Sequence, residues 1–333
     1  MDIDVRAVEP HDDNALAQRH GVAEAAIGYD LPDFPPPCPQ RYSGGLRYPG
    51  RSTTSLGWLG YLDGQPAGVL TLDLPLRDNT GNAHVELLVA PAYRRHGVGR
   101  ALYAHAVGEA RRHNRVRLMG ETVSALPAGV PRDSAGTAFA AAMGAKEALS
   151  EVRRRLDLST VDIAAQDVPL APGYSVVYWR DHTPEEYLPD ISRLEDRLVL
   201  DAPMGDLVIE PPEMDAERIR DHEETRLRRG EYSYHAGIRH DASGTLVAWT
   251  VLSFEATLPD HAWQLITIVD PAHRGHRLGM WVKLANLRYT VAGEPALRVV
   301  DTWNAASNRH MIAINEAIGF RAVDAWGQWQ QEI

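Results

Sequence analysis

Two glycines in a short arginine-rich loop could hold a phosphate group. The loop is Arg94-Arg95-His96-Gly97-Val98-Gly99, and the apolar spacing of a helix follows at residues 100–112. A helix that begins directly after a loop leaves its first backbone N–H groups without partners, at the positive end of the helix dipole. Gly97 and Gly99 carry no Cβ, so a ligand can approach their backbone closely. These features predict an anion site suited to phosphate.

The same arrangement occurs a second time along the chain. Val89-Ala90-Pro91 is repeated as Val269-Asp270-Pro271, and the same offset aligns Glu121 with Asp301. Aligned blocks at one offset indicate an internal repeat, and a chain of 333 residues is long enough for two domains. The predicted boundaries are residues 1–158 for the first copy, 159–172 for a linker and 173–333 for the second copy.

Each copy is predicted to have a mixed α/β fold, because segments with a two-residue apolar period alternate with segments of helical period. The first copy has predicted strands at 3–8, 56–61, 67–74, 84–89, 115–122 and 147–158 and helices at 14–26, 100–112 and 134–143. The second has predicted strands at 174–179, 234–239, 245–254, 263–269, 296–302 and 322–332, and helices at 184–200, 215–229, 308–318 and after its loop as far as 289. Residues 31–54, rich in proline and glycine, are predicted to form a long functional or mobile loop.

The first loop resembles motif A of the GNAT N-acetyltransferase superfamily, which holds the diphosphate of acetyl-coenzyme A with the pattern Gln/Arg-x-x-Gly-x-Gly/Ala. Arg94, Gly97 and Gly99 match this pattern. Residues 301–320 resemble motif B of the same family. The resemblance covers nearly the whole chain, and its architecture is similar to that of the tandem GNAT proteins of actinobacteria, of which mycothiol synthase is the familiar example.

The resemblance implies two tandem GNAT domains and an acetyl-coenzyme A-dependent N-acetyltransferase that acts on a small-molecule amine by direct acyl transfer, without a metal. In the family a backbone N–H of the strand before the loop, often exposed by a β-bulge, binds the oxyanion, and motif B asparagines bond the coenzyme. In the first copy the implied coenzyme-binding residues are Leu88, Val89, Arg94, Arg95, His96, Gly97, Val98, Gly99 and Arg100. In the second copy they are Ile268, Val269, Arg274, Gly275, His276, Arg277, Leu278, Gly279, Asn304 and Asn308.

Three carboxylates are candidates for the base that takes a proton from the amine. Alternation along residues 84–89 places Glu86 on one face of its strand, and Glu86 is the first choice. Glu121 and Asp301 stand at equivalent strand ends and are the second choice. Structural roles stay open for all three: Glu86 as the partner of an arginine, the other two as acceptors for backbone N–H groups.

The two copies differ in residues that bear on the chemistry. Arg277 replaces the central glycine of the family loop, which is tolerable if this residue keeps a negative φ. Gln264 and Thr267 occupy the strand before the second loop, and neither can act as a base. The tyrosine that often serves the family as general acid is replaced by Ala140 in the first copy and by Asn315 in the second, so no acid is assigned.

Composition argues against several other classes of protein. The formal charge of −11 and the lack of a basic block argue against a nucleic-acid partner. No apolar run is long enough to span a membrane, and the first residues lack a secretory signal, so we expect a cytoplasmic monomer or homodimer. His273, His276 and His310 lack the spacing of zinc ligands, so no metal is expected. Two alternatives stay open: a non-catalytic acyl-coenzyme A-binding or sensing protein, and an acyltransferase for a protein N-terminus.

Overall fold

The computed structural model describes residues 2–127, 129–166 and 168–333. Met1, Ala128 and Asp167 lie outside the described residues, and Asp167 falls within the predicted linker. The chain forms two compact units, of which unit 1 is Met1–Ser150, Gly205–Ile209 and Ala325–Ile333, and unit 2 is Glu151–Met204 and Glu210–Asp324. The boundaries predicted for the two copies concern the internal repeat and stay a prediction. The two units are defined by which residues pack together, and by this criterion the C-terminal residues belong to unit 1.

Unit 1 is built on a mixed sheet whose strands lie in the order β1-β2-β3-β4-β5. Its strands are β1 (Ile3–Ala7), β2 (Thr53–Leu62), β3 (Gln65–Pro75), β4 (Asn82–Val89) and β5 (Arg117–Ala125). Its helices are α1 (Asp13–Asp30), α2 (Pro39–Arg47), α3 (Val98–Arg112) and α4 (Ala135–Ala142). Strands β4 and β5 are parallel, and the other neighbours are antiparallel.

Helices cover both faces of the unit 1 sheet. Helix α3 buries one stripe of residues at helical spacing, namely Val98, Leu102, Ala106 and Ala110. That stripe packs with Leu70 and Leu72 of β3. On the other face Leu16 of α1 and Leu46 of α2 pack with Val69. Helix α2 corrects the prediction of a continuous loop at 31–54, because the apolar contacts of Leu46 hold a helical turn that the local glycines disfavour.

Unit 2 repeats this plan with its own strands and helices. Its strands are β6 (Lys146–Asp157), of which Glu151–Asp157 belong here, β7 (Tyr174–Arg180), β8 (Glu231–His240), β9 (Leu246–Glu255), β10 (His261–Val269) and β11 (Val299–Ala305). Its helices are α5 (Leu188–Glu195), α6 (Leu198–Asp201), α7 (Ala216–Arg228), α8 (Leu278–Gly293) and α9 (Arg309–Ile318). The final strand, β12 (Arg321–Glu332), begins here, and its residues from Ala325 onward belong to unit 1.

The order of strands in unit 2 is β7-β8-β9-β10-β11, followed by the second half of β6. Strands β10 and β11 are parallel, as are β4 and β5 in unit 1. Helix α8 packs against β8 and β9 through Leu278, Val282 and Leu284, which are almost fully buried. The predicted helix at 184–200 is interrupted, with α5 and α6 separated by a short turn.

Candidate functional site

In both units the two central parallel strands separate near their carboxyl ends. Strand β4 pairs with β5 only from Asn82 to His84, opposite Arg117–Met119. Strand β10 pairs with β11 only from His261 to Trp263, opposite Val299–Asp301. Beyond these residues β4 and β10 keep their antiparallel partner on one edge and have an open edge on the other. Each unit therefore has a gap in its sheet, immediately before its glycine-bearing loop.

One backbone N–H before each loop points into this gap. The Ala90 N–H bonds the Ala67 carbonyl at 2.9 Å, and the Asp270 N–H bonds the Val247 carbonyl at 2.8 Å. Because N–H groups alternate in direction along an antiparallel strand, those of Val89 and Val269 point to the open edge. The preceding residues, Leu88 and Ile268, turn their N–H groups towards the antiparallel neighbour instead.

The β-bulge expected beside these amides is present in one unit. Strand β10 shifts register against β9 between Gln264 and Thr267. Strand β4 pairs with β3 from His84 to Val89 without a shift. A bulge is therefore not required for the open N–H in unit 1, since the parting of β4 from β5 already exposes it.

The two loops have the same backbone conformation, although their glycines stand at different positions. In the first loop Arg95 has φ 67° and Gly97 has φ 91°. In the second loop Gly275, which aligns with Arg95, has φ 88°, and Arg277, which aligns with Gly97, has φ 58°. The negative φ that was set as the condition for tolerating Arg277 is therefore not observed. Each loop retains this shape although an arginine in the left-handed region costs about 1–2 kcal/mol.

Consecutive backbone N–H groups at the start of α3 and α8 have no acceptor. In the described part of the chain no backbone or side-chain oxygen bonds the N–H groups of residues 95–100 or 275–280. The first helical bonds are those from Ala101 to the Gly97 carbonyl and from Trp281 to the Arg277 carbonyl. Both loops thus present a row of donors at a helix N-terminus, which suits a diphosphate.

The first arginine of each loop braces the loop rather than standing free for a ligand. Arg94 donates from Nε to the last carbonyl of β4 at 3.1 Å and from both Nη atoms to Asp30 at 2.8 and 2.7 Å. Its hydrogen bond to Asp30 raises the pKa of Arg94. Arg274 donates from Nε to the last carbonyl of β10 at 3.3 Å and from Nη2 to Asp201 at 2.7 Å. Each guanidinium joins a strand end to the last residue of a helix, α1 or α6.

Glu86 lies on the part of β4 that has separated from β5, and its side chain is exposed. Its Oε2 accepts hydrogen bonds from the Thr71 hydroxyl at 3.2 Å and the Tyr42 hydroxyl at 3.4 Å. Arg19, only 1% exposed, donates to the same Thr71 oxygen at 2.8 Å. Burial, followed by the Glu86 charge, raises the pKa of Tyr42. The carboxylate is therefore held by hydroxyl groups, one of which, that of Thr71, also accepts from Arg19.

The residue of unit 2 that aligns with Glu86 is Ile266, an apolar residue of β10. Gln264 is 3% exposed and donates from Nε2 to the Thr250 hydroxyl at 3.0 Å. His235 lies on β8 opposite Val251, whereas Gln264 lies opposite Leu252, so the two side chains are on different faces of the sheet. The Nδ1 atom of His235 accepts from the Trp249 indole at 3.1 Å, and its Nε2 lies 2.8 Å from the Ser233 hydroxyl. Burial, with a smaller effect of Arg226, lowers the pKa of His235 to about 3. The lowered pKa keeps this imidazole neutral, and β10 has no carboxylate at the position of Glu86.

Asp301 is fully buried and bound by cations. Arg155 donates to its two oxygens at 2.8 and 2.7 Å, Arg153 donates at 3.1 Å, and His261 Nε2 lies 3.3 Å away. Although burial opposes it, hydrogen bonding by Arg155 contributes to lowering the pKa of Asp301 to about 2. A carboxylate with these partners is a weak base. Its environment is that of a structural ion pair, which also includes Asp324 on the far side of Arg153 at 2.7 Å.

Glu121 is exposed on β5 beyond the last residue paired with β4. Its Oε2 accepts from Gln328 Nε2 at 3.2 Å. The neighbouring Thr122 accepts from the Trp329 indole at 2.9 Å. Glu121 therefore bonds a β12 side chain, whereas Glu86 bonds residues of α2 and β3.

The motif B asparagines have different roles. Asn308 is the N-cap of α9, where its Oδ1 accepts from the Met311 N–H at 3.1 Å. Asn304 accepts at Oδ1 from Asn315 Nδ2 at 2.6 Å. In unit 1 the equivalent helix α4 begins at Ser134 without a side-chain cap, and its residues are not buried. The better-formed motif B of the second copy thus corresponds to a capped and packed helix.

Sequence reasoning did not find Tyr42, Arg19, Thr71 or Lys283. Tyr42 and Glu86 are separated by 44 positions, and no local pattern indicates such a pair. Lys283 is one of few lysines in the chain and is 1% exposed in the middle of α8. Its position at helical spacing among apolar residues is the signal that was available.

No group of three or more His, Cys, Asp or Glu side chains in the described ranges is arranged to hold a metal ion. Among the helices that the structure describes, none is both long and apolar enough to cross a membrane.

Comparisons with known proteins agree with this geometry. The model of the acetyltransferase (GNAT) family matches residues 22–128. A tandem GNAT protein from the clavulanic acid biosynthesis pathway, solved without acetyl-coenzyme A, is 37% identical, with 99% of this chain and 98% of that one covered and a TM-score of 0.87. A GCN5-related N-acetyltransferase from Sphaerobacter thermophilus is 15% identical over 99% of this chain and 95% of its own, with a TM-score of 0.63. A search of curated proteins gave no significant match.

Proposed function

The chain belongs to the GNAT acetyltransferase family as a tandem protein, and we propose that its unit 1 transfers an acetyl group from acetyl-coenzyme A to a small-molecule amine. The observation that carries this proposal is the combination of three features in unit 1. A gap opens between β4 and β5, a row of free N–H groups follows it, and an exposed carboxylate, Glu86, lies on the same stretch of β4.

Acetyl-coenzyme A supplies the thioester, and the protein supplies the groups that bind it. The N–H groups of residues 95–100 bind the diphosphate, and Arg94 keeps the loop in place by bonding Asp30. The Val89 N–H bonds the thioester oxygen, where negative charge develops during attack. Because these donors are fixed by the sheet and the helix, little reorganisation is needed in the transition state.

Glu86 is the proposed base. The amine nitrogen attacks the thioester carbon, the carbon–sulfur bond breaks, coenzyme A leaves as a thiolate, and the amine proton passes to the Glu86 carboxylate directly or through water. Thr71 and Tyr42 hold one carboxylate oxygen and leave the other available. Glu121 and Asp301 are assigned supporting roles, because Glu121 bonds Gln328 and Asp301 is bound by Arg155.

A second function, binding of acyl-coenzyme A without transfer, is proposed for unit 2. The observation that favours it is the apolar Ile266 at the position of Glu86, before a loop with the same free N–H groups as the first. Unit 2 thus keeps the parts that bind a coenzyme and lacks a carboxylate at the position of Glu86.

The test is thiol release from acetyl-coenzyme A measured across a panel of primary amines, together with calorimetry of coenzyme A binding. We expect amine-dependent release in the wild-type chain and its loss in Glu86→Gln. Tight coenzyme binding with no release for any amine would overturn the transferase proposal and favour a binding protein. Release that persists in Glu86→Gln would reject Glu86 as the base.

A further inference from the structure

A lysine is buried in unit 2 without a counter-charge. Lys283 lies in α8 and is 1% exposed, and among the described residues no carboxylate lies within ion-pair distance of its Nζ. Burial of an ammonium group without a negative partner costs free energy, so either the pKa of such a group falls or the group is retained for a function. Here burial lowers the pKa of Lys283 to about 7. Its ring contact, 5.2 Å from the Phe320 centroid, offsets only part of that cost.

Lys283 begins a chain of two short hydrogen bonds. Its Nζ donates to Asn315 Oδ1 at 2.7 Å, and Asn315 Nδ2 donates to Asn304 Oδ1 at 2.6 Å. Asn315 is fully buried, and Asn304 is partly exposed at the end of β11. The chain thus runs from the core of the unit to its surface.

The lysine sets the direction of this chain. A charged lysine ammonium has three N–H donors and no acceptor, so Asn315 turns its carbonyl oxygen towards Nζ. The NH₂ group of Asn315 then points to Asn304, so the side-chain oxygen of Asn304 faces Asn315. The Asn304 NH₂ group is the free end of the chain, and no acceptor for it is present among the described residues.

The free end lies in the region where the coenzyme is proposed to bind. Asn304 is on β11 beyond Asp301, the last residue paired with β10, so it stands beside the gap. Helix α9, which carries Asn315, also packs on the first turn of α8: a Cβ on Gly279 would lie 3.4 Å from Ile314 Cδ1. The loop, the lysine and the asparagine pair therefore belong to one packed assembly.

From this geometry we infer that Lys283 is a positioning residue that orients Asn304 as a hydrogen-bond donor for an acceptor group of acyl-coenzyme A in unit 2. The Asn304 NH₂ group donates hydrogen bonds and accepts none. The ligand group that it contacts is therefore a carbonyl or phosphate oxygen. The inference rests on the proposed binding of coenzyme A by unit 2. Unit 1 has no such chain, because the positions aligned with Lys283 and Asn315 are Tyr103 and Ala140.

The test is calorimetric titration of the full chain with coenzyme A, using four variants. Lys283→Met removes the donor and keeps the apolar stem, whereas Lys283→Gln keeps an N–H donor. We expect Lys283→Met to weaken one of two binding sites about tenfold, as expected for loss of a buried hydrogen bond, and Lys283→Gln to stay within threefold of the wild type. Asn304→Ala should weaken the same site, and the double variant Lys283→Met/Asn304→Ala should be no weaker than Asn304→Ala alone.

A merely structural lysine gives a different pattern. If the losses of Lys283→Met and Asn304→Ala add, or if Lys283→Met leaves both affinities within twofold, the inference is overturned. Should Lys283→Met not fold, as judged by its thermal transition, Asn315→Ala replaces it in the same cycle with the same expectations. Loss of one binding site with amine-dependent release intact leaves the transferase proposal standing, whereas a wild-type chain that binds no coenzyme A defeats both proposals.

Discussion

The two loops of this chain share a backbone and differ in the chemistry around them. Arg95 and Gly97 in unit 1 occupy left-handed positions, as do Gly275 and Arg277 in unit 2, so glycine and arginine are exchanged between two equivalent places. The strand before the first loop carries an exposed carboxylate, Glu86, whereas the strand before the second carries Ile266 at the aligned position. Binding depends on backbone amides that almost any sequence supplies, whereas acid–base chemistry depends on individual side chains. A duplicated domain can therefore lose catalysis while it still binds the coenzyme.

The largest effect is expected at Glu86, where unit 1 has a carboxylate and unit 2 has none. Glu86→Gln keeps the size and hydrogen bonding of the side chain but removes its basicity, so kcat for acetyl transfer should fall by about 10²–10⁴-fold. Steady-state thiol release with the best amine of the panel measures this change. Glu121→Gln is the matched control in the same unit and should stay within about threefold of the wild type. An equal loss in both variants would place the base elsewhere.

The neutral histidine buried in unit 2 predicts a stability effect at acid pH. His235 has a pKa of about 3 when folded, below the usual value of 6.5, so between these values the unfolded chain binds more protons. The contribution of His235 to stability is therefore complete above pH 6.5 and declines as the pH falls towards 3, at about 1.4 kcal/mol per pH unit.

Urea unfolding of the wild type and of His235→Gln at several pH values between 4 and 7 measures this slope. Glutamine can donate to Ser233 as the imidazole does, yet it does not titrate, so its variant should lose less stability on acidification. Parallel curves for the two proteins would show that His235 is not the group responsible.

The elements of the fold could be predicted wherever a periodic pattern was long. The strands at 67–74 and 263–269 and the helix at 308–318 were placed within a few residues of β3, β10 and α9. Helix α2 was missed, because Gly44, Gly45 and the preceding prolines indicate a loop, and tertiary contacts of Leu46 override them. Strand β11 lies about three residues later than predicted, which is enough to place Asn304 on the strand.

The candidate site could be predicted only in part, for a physical reason. The loops, the Val89 and Val269 amides and Glu86 follow from local order along the chain. The sign of φ at Arg277 does not, because a left-handed residue is imposed by the turn in which it stands. The bonds of Glu86 to Tyr42 and of Lys283 to Asn315 join distant segments, so only the folded structure shows them.

Closing one loop at a time tests whether both bind coenzyme A. Gly97→Val forces a β-branched residue into φ 91°, and its Cβ would lie 3.2 Å from Ile3 Cδ1, so the first loop should lose its shape. Gly275→Val should do the same to the second loop, at φ 88°. Each variant is expected to weaken one of two calorimetric coenzyme sites by tenfold or more, and only Gly97→Val should abolish acetyl transfer. If Gly275→Val abolished transfer instead, the assignment of catalysis to unit 1 would be reversed.

The smallest expected effect concerns the exchanged arginines. Arg95→Gly and Arg277→Gly each relieve a left-handed side chain, which is worth about 1–2 kcal/mol, and each adds freedom to the unfolded chain, which costs about 0.5–1 kcal/mol. Both variants should therefore be more stable than the wild type, by about 1 kcal/mol or less, in urea unfolding. Arg111→Gly, in the last turn of α3, is the control and should be less stable, because its backbone is helical. Similar gains in the free energy of unfolding for both variants, with coenzyme affinity retained, would show that the arginines are tolerated for reasons other than backbone shape. Lower stability in Arg277→Gly alone would mean that the Arg277 side chain stabilises the second loop, whereas that of Arg95 does not stabilise the first.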